Sequence, residues 1–183
     1  MDILVERVRK ILMEPKLAWQ EIKSENTSTS EIVRDYLIYL AAIPPVSYFI
    51  GQVLLGRPRL GLLPGILTAG VLYVLLFVAV TIAATVVNAI APEFQATTDD
   101  AKAFKLVTYS CTAPLVATVF FIIPELSVLA VLGFYGIYIL YLGIPELTDC
   151  PQDKALAYTV ASVMTIVVLT AIAFGLARIF TCR

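Results

Sequence analysis

The chain of 183 residues contains no histidine. Histidine is the usual general base at neutral pH and the commonest metal ligand, so its absence excludes Ser–His–Asp triads, histidine metal centres and imidazole proton relays. Cysteine is also scarce: Cys111, Cys150 and Cys182 form no Cys-x-x-Cys pair, which speaks against a zinc knuckle or a dithiol redox motif. We expect free thiols in apolar surroundings.

Charged residues make up 15% of the chain and the net charge is −1. Soluble domains have about 25% charged residues. Hydrophobic residues reach 60%, and the mean hydropathy is +0.89. No basic field is present, so no nucleic-acid partner is expected. The composition predicts an integral membrane protein whose first partner is the lipid bilayer.

Five hydrophobic runs follow one another along the chain, and each reaches the roughly 20 residues that a helix needs to cross a bilayer. The sequence therefore predicts an all-α, multi-pass protein with five membrane spans. The predicted spans are residues 36–55, 62–91, 104–123, 126–147 and 155–180. The second run is long enough that it must tilt, kink or extend beyond the lipid. Only Pro124 and Glu125 separate the third and fourth, which favours a tight helical hairpin over a re-entrant element across residues 115–132.

Residues 1–30 form the only long polar segment, and residues 31–183 make up the predicted membrane domain. In the first segment, apolar side chains recur at steps of three and four residues, which predicts an amphipathic helix bent near Pro15. We expect this helix to lie in the headgroup layer with Trp19 at the interface, or to pack its apolar face on a partner protein. Ser30 or Thr29 is the expected cap of the first span.

Lysine and arginine set the expected orientation. Nine of these residues fall on the side of the N terminus and four on the other side. The nine are Arg7, Arg9, Lys10, Lys16, Lys23, Arg34, Lys102, Lys105 and Lys154, and the four are Arg57, Arg59, Arg178 and Arg183. The N terminus is therefore predicted to be cytoplasmic and, with five spans, the C terminus outside.

The interiors of the spans contain almost no ionisable side chains, which argues against a proton pump built on carboxylates in mid-membrane. Tyrosines and prolines are the notable features of the third and fourth spans. Small residues there also permit close helix approach, with Gly136 and Gly143 on one helical face. We expect one groove that either packs helices or binds a ligand or lipid headgroup. Its candidate residues are Tyr109, Pro114, Tyr135, Gly136, Tyr138 and Tyr141.

Acidic residues follow the second and fourth spans on the predicted cytoplasmic side. They are Glu93, Asp99, Asp100, Glu146 and Asp149. Such carboxylates either bind a cation through oxygen ligands or form solvated loops, and no EF-hand spacing decides between the two. No hydrolase, metalloprotease, P-loop or Rossmann motif occurs, so neither an enzymatic activity nor a cofactor is expected.

Several segments resemble the Yip family of membrane proteins. They are Pro15-Lys-Leu-Ala-Trp-Gln-Glu-Ile22, Asp35-Tyr36, Leu106-Val-Thr-Tyr-Ser110 with Pro114, and Gly133-Phe-Tyr-Gly-Ile-Tyr-Ile-Leu-Tyr-Leu-Gly-Ile-Pro145. The short N-terminal segment is similar to that of small prokaryotic members, which implies the cell (inner) membrane. The resemblance implies a cytosolic N-terminal segment, five spans and, in eukaryotic relatives, a role in vesicle trafficking.

Two functions follow as hypotheses. The first is a non-enzymatic scaffold or adaptor that forms a homo- or hetero-oligomer with membrane proteins through helix–helix and interfacial contacts. The second is a channel or transporter that passes an ion, a small solute or a lipid through a bundle lined by tyrosine and proline. A continuous polar cavity would favour the second, and closely packed helices the first.

Overall fold

A computed structural model describes residues 2–55 and 61–179. These residues contain helices and no strand, and five stretches are long and apolar enough to cross a membrane. The stretches are Thr29–Leu54 (span one), Leu62–Phe94 (span two), Asp100–Ile122 (span three), Glu125–Thr148 (span four) and Gln152–Ala177 (span five). They confirm the all-α, five-span prediction. Arg57, Arg59, Cys182 and Arg183, named above, lie outside the described residues; Cys111 and Cys150 are free and buried, as predicted.

Span one is helical throughout but changes its helix type. It comprises α3 (Thr29–Ile32), a π-helical turn (Val33–Leu37), α4 (Ile38–Phe49) and a second π-helical turn (Ile50–Leu54). Ser28 caps α3 in place of the expected Ser30 or Thr29. Its hydroxyl accepts a hydrogen bond from the Glu31 amide, and the Glu31 carboxylate accepts one from the Ser28 amide, which is a complete capping box.

Span two has 33 residues and changes its helix type at its end. It consists of α5 (Leu62–Ile90) followed by a 3₁₀ turn (Ala91–Phe94), and Gln95 then reverses the chain with a φ of 57°. Span five is the single helix α9 (Gln152–Ile179), which packs along α5. Tyr158 of α9 fixes this pair, because its hydroxyl donates to the Val87 carbonyl at 2.8 Å and its ring stacks on Phe94.

Spans three and four form a hairpin, as predicted, but much of it is not α-helical. Span three contains α6 (Asp100–Ser110), α7 (Thr112–Ala117) and a 3₁₀ turn (Thr118–Ile122). After the extended residue Ile123, span four continues as a 3₁₀ helix (Pro124–Phe134) and then α8 (Tyr135–Thr148). A 3₁₀ run of 11 residues is unusually long, since its hydrogen-bond geometry is poorer than that of an α-helix.

The N-terminal segment forms two helices, α1 (Asp2–Met13) and α2 (Pro15–Ser24), and α2 packs on α8. Trp19 is only 1% exposed, and its indole N–H donates to the carbonyl oxygen of Ile139 at 2.9 Å. Trp19 is therefore covered by protein and does not present its ring to lipid headgroups, as the expected interfacial placement would require. The apolar face of α2 packs on the membrane domain of the same chain, because α8 offers a site that fits the indole.

That site depends on Gly143. A Cβ atom at Gly143 would lie 2.6 Å from Cε2 and Cζ2 of Trp19 and 2.7 Å from Cδ1 of Leu106. Two further contacts hold the N-terminal helices in place: Arg7 pairs with Glu25 at 2.6 Å, and the buried Lys105 donates to the Glu25 carbonyl. The N-terminal segment is consequently part of the bundle.

We predict that Gly143→Ala lowers the free energy of unfolding by about 1–3 kcal/mol, because the new methyl group overpacks the indole site. Denaturant titration of the purified protein in detergent measures this. Gly70→Ala is the matched control, since its Cβ would meet no atom within 4 Å. An equal effect of the two substitutions would contradict the assigned contact.

Candidate functional site

A partly open cleft of about 360 Å³ lies between spans three, four and five. Its walls come from α7 and the turn after it, from the junction of the 3₁₀ helix with α8, and from the second half of α9. Representative lining residues are Pro114, Phe121, Gly136, Val167, Thr170 and Phe174. A smaller cavity of about 100 Å³ shares several of these residues and extends toward α4 and α5.

Pro114 and Gly136 shape the cleft where spans three and four meet. Pro114 has no N–H, so the Ser110 carbonyl loses its usual partner four residues on. A Cβ atom at Gly136 would lie 2.8 Å from that carbonyl oxygen and 2.7 Å from Cδ of Pro114. One at Gly133 would lie 3.1 Å from Cα of Pro114. The two glycines therefore let the backbone of span four approach the kink in span three.

The cleft can hold an apolar group. Among the described residues no charged side chain lines the cleft. Its threonine hydroxyls are engaged within their own helices, since Thr118 donates to the Leu115 carbonyl and Thr170 to the Ile166 carbonyl. Ser110 also borders the cleft, and its buried hydroxyl has no partner among the described residues. An acyl chain or the side chains of a membrane helix would fit these walls, whereas an ion would find no compensating charge.

The structure does not place the four candidate tyrosines on one face. Tyr109 is buried, with its ring centroid 6.3 Å from that of Trp19 and 4.8 Å from that of Tyr36. Tyr135, Tyr138 and Tyr141 lie on the exposed side of α8, and the last two border a shallow groove against α9. The reason is that Gly136 and Gly143 direct the opposite side of α8 toward span three and Trp19.

The acidic residues do not gather either. Within the described part of the chain, no three Asp, Glu or Cys side chains are close enough to hold a metal ion. Asp99 caps α6 through the amides of Ala101 and Lys102, and Asp100 accepts a hydrogen bond from Asn88. Asp149 lies 3.5 Å from Lys23 of α2. Glu93 and Glu146 lie on the 3₁₀ turn after α5 and on α8.

Sequence reasoning missed one buried polar link beside Pro114. The Thr112 hydroxyl donates to the Tyr109 carbonyl at 2.6 Å, so the Tyr36 hydroxyl, 2.7 Å from it, is the donor between the two side chains. This link joins span one to the kink in span three. The Asp35-Tyr36 pair and the Leu106–Ser110 segment with Pro114 were both notable in the sequence, but neither indicates the other as its partner.

A comparison with protein-family models matches the Yip1 domain over residues 9–174. The chain belongs to the Yip1 domain family. Neither curated proteins nor solved structures gave a significant match. The matched residues run from within α1 to the cleft-lining part of α9, so Trp19 and the cleft both lie inside the Yip1 domain. With its five apolar spans, this family member is a multi-pass integral membrane protein.

We predict that Gly136→Ala forces span four away from Pro114 and lowers the thermal midpoint by several degrees, at roughly 2–4 °C per kcal/mol for a chain of this size. Thermal unfolding in detergent measures the shift. Gly175→Ala serves as the control and should leave the midpoint nearly unchanged, because its Cβ would meet no atom of the described residues within 4 Å. An unchanged midpoint for Gly136→Ala would show that the close approach is not required.

Proposed function

We propose that this Yip1 domain protein is a non-enzymatic membrane scaffold or adaptor whose cleft holds an apolar helix of another membrane protein. The observation that carries the proposal is the uncharged, partly open cleft between spans three, four and five. Its walls complement a membrane helix, which presents apolar side chains and no unpaired backbone groups.

The uneven burial of the spans supports this role. In the most apolar part of span three 61% of the residues are buried, but only 28% in span four and 17% in span five. Large side chains at the rim of the cleft are exposed, including Phe121, Phe134 and Val167. Spans four and five thus leave apolar surface beside the cleft for a further helix to cover.

Transport of an ion or a polar solute has less support. The tyrosines that were expected to line a passage are divided between a buried position and the outer side of α8. In the part of the chain that the structure describes, no charged residue lines the cleft between the spans. Packing between Pro114 and Gly136 favours the scaffold, which also accords with the trafficking role that eukaryotic Yip proteins suggest. From the distribution of lysine and arginine, we propose a cytoplasmic N terminus.

The test is photocrosslinking in native membranes. A photoreactive residue replaces Val167, which is 53% exposed at the cleft, and a matched variant carries it at Val74, which is 58% exposed on α5. We predict a discrete crosslinked polypeptide from position 167 and none from position 74. Lipid adducts alone at both positions would contradict the scaffold, and solute flux through reconstituted liposomes would favour transport.

A further inference from the structure

A further cavity, separate from the cleft, lies between the N-terminal helices and the beginning of span one. Its volume is about 410 Å³. It is lined by residues from α1, from the linker after α2, from span one and from α6. They are Leu4, Arg7, Glu25, Thr27, Glu31, Ile32, Asp35, Tyr36, Tyr39 and Tyr109.

Two hydrogen-bond donors that border this cavity have no partner among the described residues. Arg7 uses Nη2 to bind Glu25 at 2.6 Å, but its buried Nη1 donates to nothing. Tyr109 is 4% exposed, and its ring contacts those of Trp19 and Tyr36. Its hydroxyl makes no hydrogen bond to any described residue. Buried donors are normally satisfied, so the unpaired Nη1 of Arg7, together with the unbonded Tyr109 hydroxyl at the same cavity, indicates a bound acceptor.

Arg7 is suited to bind an anionic acceptor. Burial works to lower the pKa of its guanidinium, but the hydrogen bond and the charge of Glu25 outweigh that effect and raise the pKa. The group therefore stays protonated. With Nη2 engaged by Glu25, Nη1 remains available for a second oxygen atom, and guanidinium groups bind phosphate oxygens well.

The cavity lies beside the beginning of span one, where the headgroup layer is expected. Glu25 and Thr27 precede span one, whereas Ile32 and Tyr36 lie in its first turns. Tyr109 follows Lys105 by four residues, and Lys105 is the last charged residue of span three. Leu4 and Ile32 add apolar walls beside the polar groups. A ligand here would have both a charged part and an apolar part.

The carboxylates at the cavity restrict the class of ligand. Glu25 is paired with Arg7 and Asp35 with Arg34, but Glu31 has no ion-pair partner among the described residues. A purely anionic headgroup would meet this carboxylate, which accepts the Ser28 amide but is paired with no cation, whereas a headgroup that also carries a primary ammonium group could donate to it.

We propose that this cavity binds the headgroup of a zwitterionic phospholipid, a phosphodiester bearing a primary ammonium group. The phosphate accepts hydrogen bonds from Arg7 Nη1 and from the Tyr109 hydroxyl, and the ammonium group faces Glu31. This site lies at the membrane surface and does not depend on the occupant of the cleft.

Tyr109→Phe tests the proposal, because it removes the unpaired hydroxyl and keeps the ring that packs on Trp19 and Tyr36. The full chain is purified in detergent and titrated with phosphatidylethanolamine or phosphatidylglycerol, with bound lipid counted by native mass spectrometry. We expect the unchanged chain to prefer phosphatidylethanolamine. Tyr109→Phe should weaken that binding by about tenfold or more. Without added lipid, its thermal midpoint should not fall.

Two further variants separate binding from folding. Arg7→Lys keeps a cation beside Glu25 but removes Nη1, so it should also weaken phosphatidylethanolamine binding. Tyr158→Phe removes a hydroxyl that is bonded to the Val87 carbonyl far from the cavity, so it should lower the midpoint and leave lipid binding unchanged.

Three results would overturn the proposal. One is equal or tighter binding of phosphatidylglycerol, and another is unchanged phosphatidylethanolamine binding in both Tyr109→Phe and Arg7→Lys. The third comes from a competition experiment in which soluble glycerophosphoethanolamine is added to the lipid-bound protein. If this compound displaced the lipid at comparable concentration, the ligand would be a free phosphodiester and the assignment to a membrane lipid would be wrong. Failure of the soluble compound to compete supports the lipid.

Discussion

The contact between Trp19 and α8 is the interaction on which the rest of the structure depends. A large indole ring lies against a glycine and donates a hydrogen bond to the carbonyl of Ile139 within a membrane helix. It joins an amphipathic segment, which could have remained at the lipid surface, to the five-span bundle. Tyr109 packs against the same indole, and the cavity beside Arg7 forms only because α1 and α2 are docked there.

A second constraint is the pairing of proline in span three with glycine in span four. Pro114 removes a hydrogen bond from its own helix, and Gly136 allows the facing backbone to approach the carbonyl that is left over. The end of span three (Thr118–Ile122) and the beginning of span four (Pro124–Phe134) are 3₁₀-helical, and the cleft lies between these segments and span five. The cleft is thus a consequence of how these two helices meet, and its apolar walls determine what it can hold.

The number of spans could be predicted from the sequence because hydropathy over about 20 residues reports directly on membrane insertion. The position of Trp19 could not, since an amphipathic face fits a lipid surface and a protein surface equally well. The Ser28–Glu31 capping box was readable as Ser-x-x-Glu, but the neighbouring hydroxyls of Thr29 and Ser30 obscured it. The division of the tyrosines depended on which side of α8 faces span three, and that is decided by tertiary packing at Gly136 and Gly143.

Trp19 is the single tryptophan of the chain, so its fluorescence reports on the central contact alone. The most direct measurement is quenching of this fluorescence in liposomes by iodide in the water and by lipids brominated near the headgroup. If the indole of α2 is buried against α8, we predict a blue-shifted emission and little quenching by either agent, because neither can reach the ring. Strong quenching by both, as for a tryptophan lying in the headgroup layer, would contradict the account.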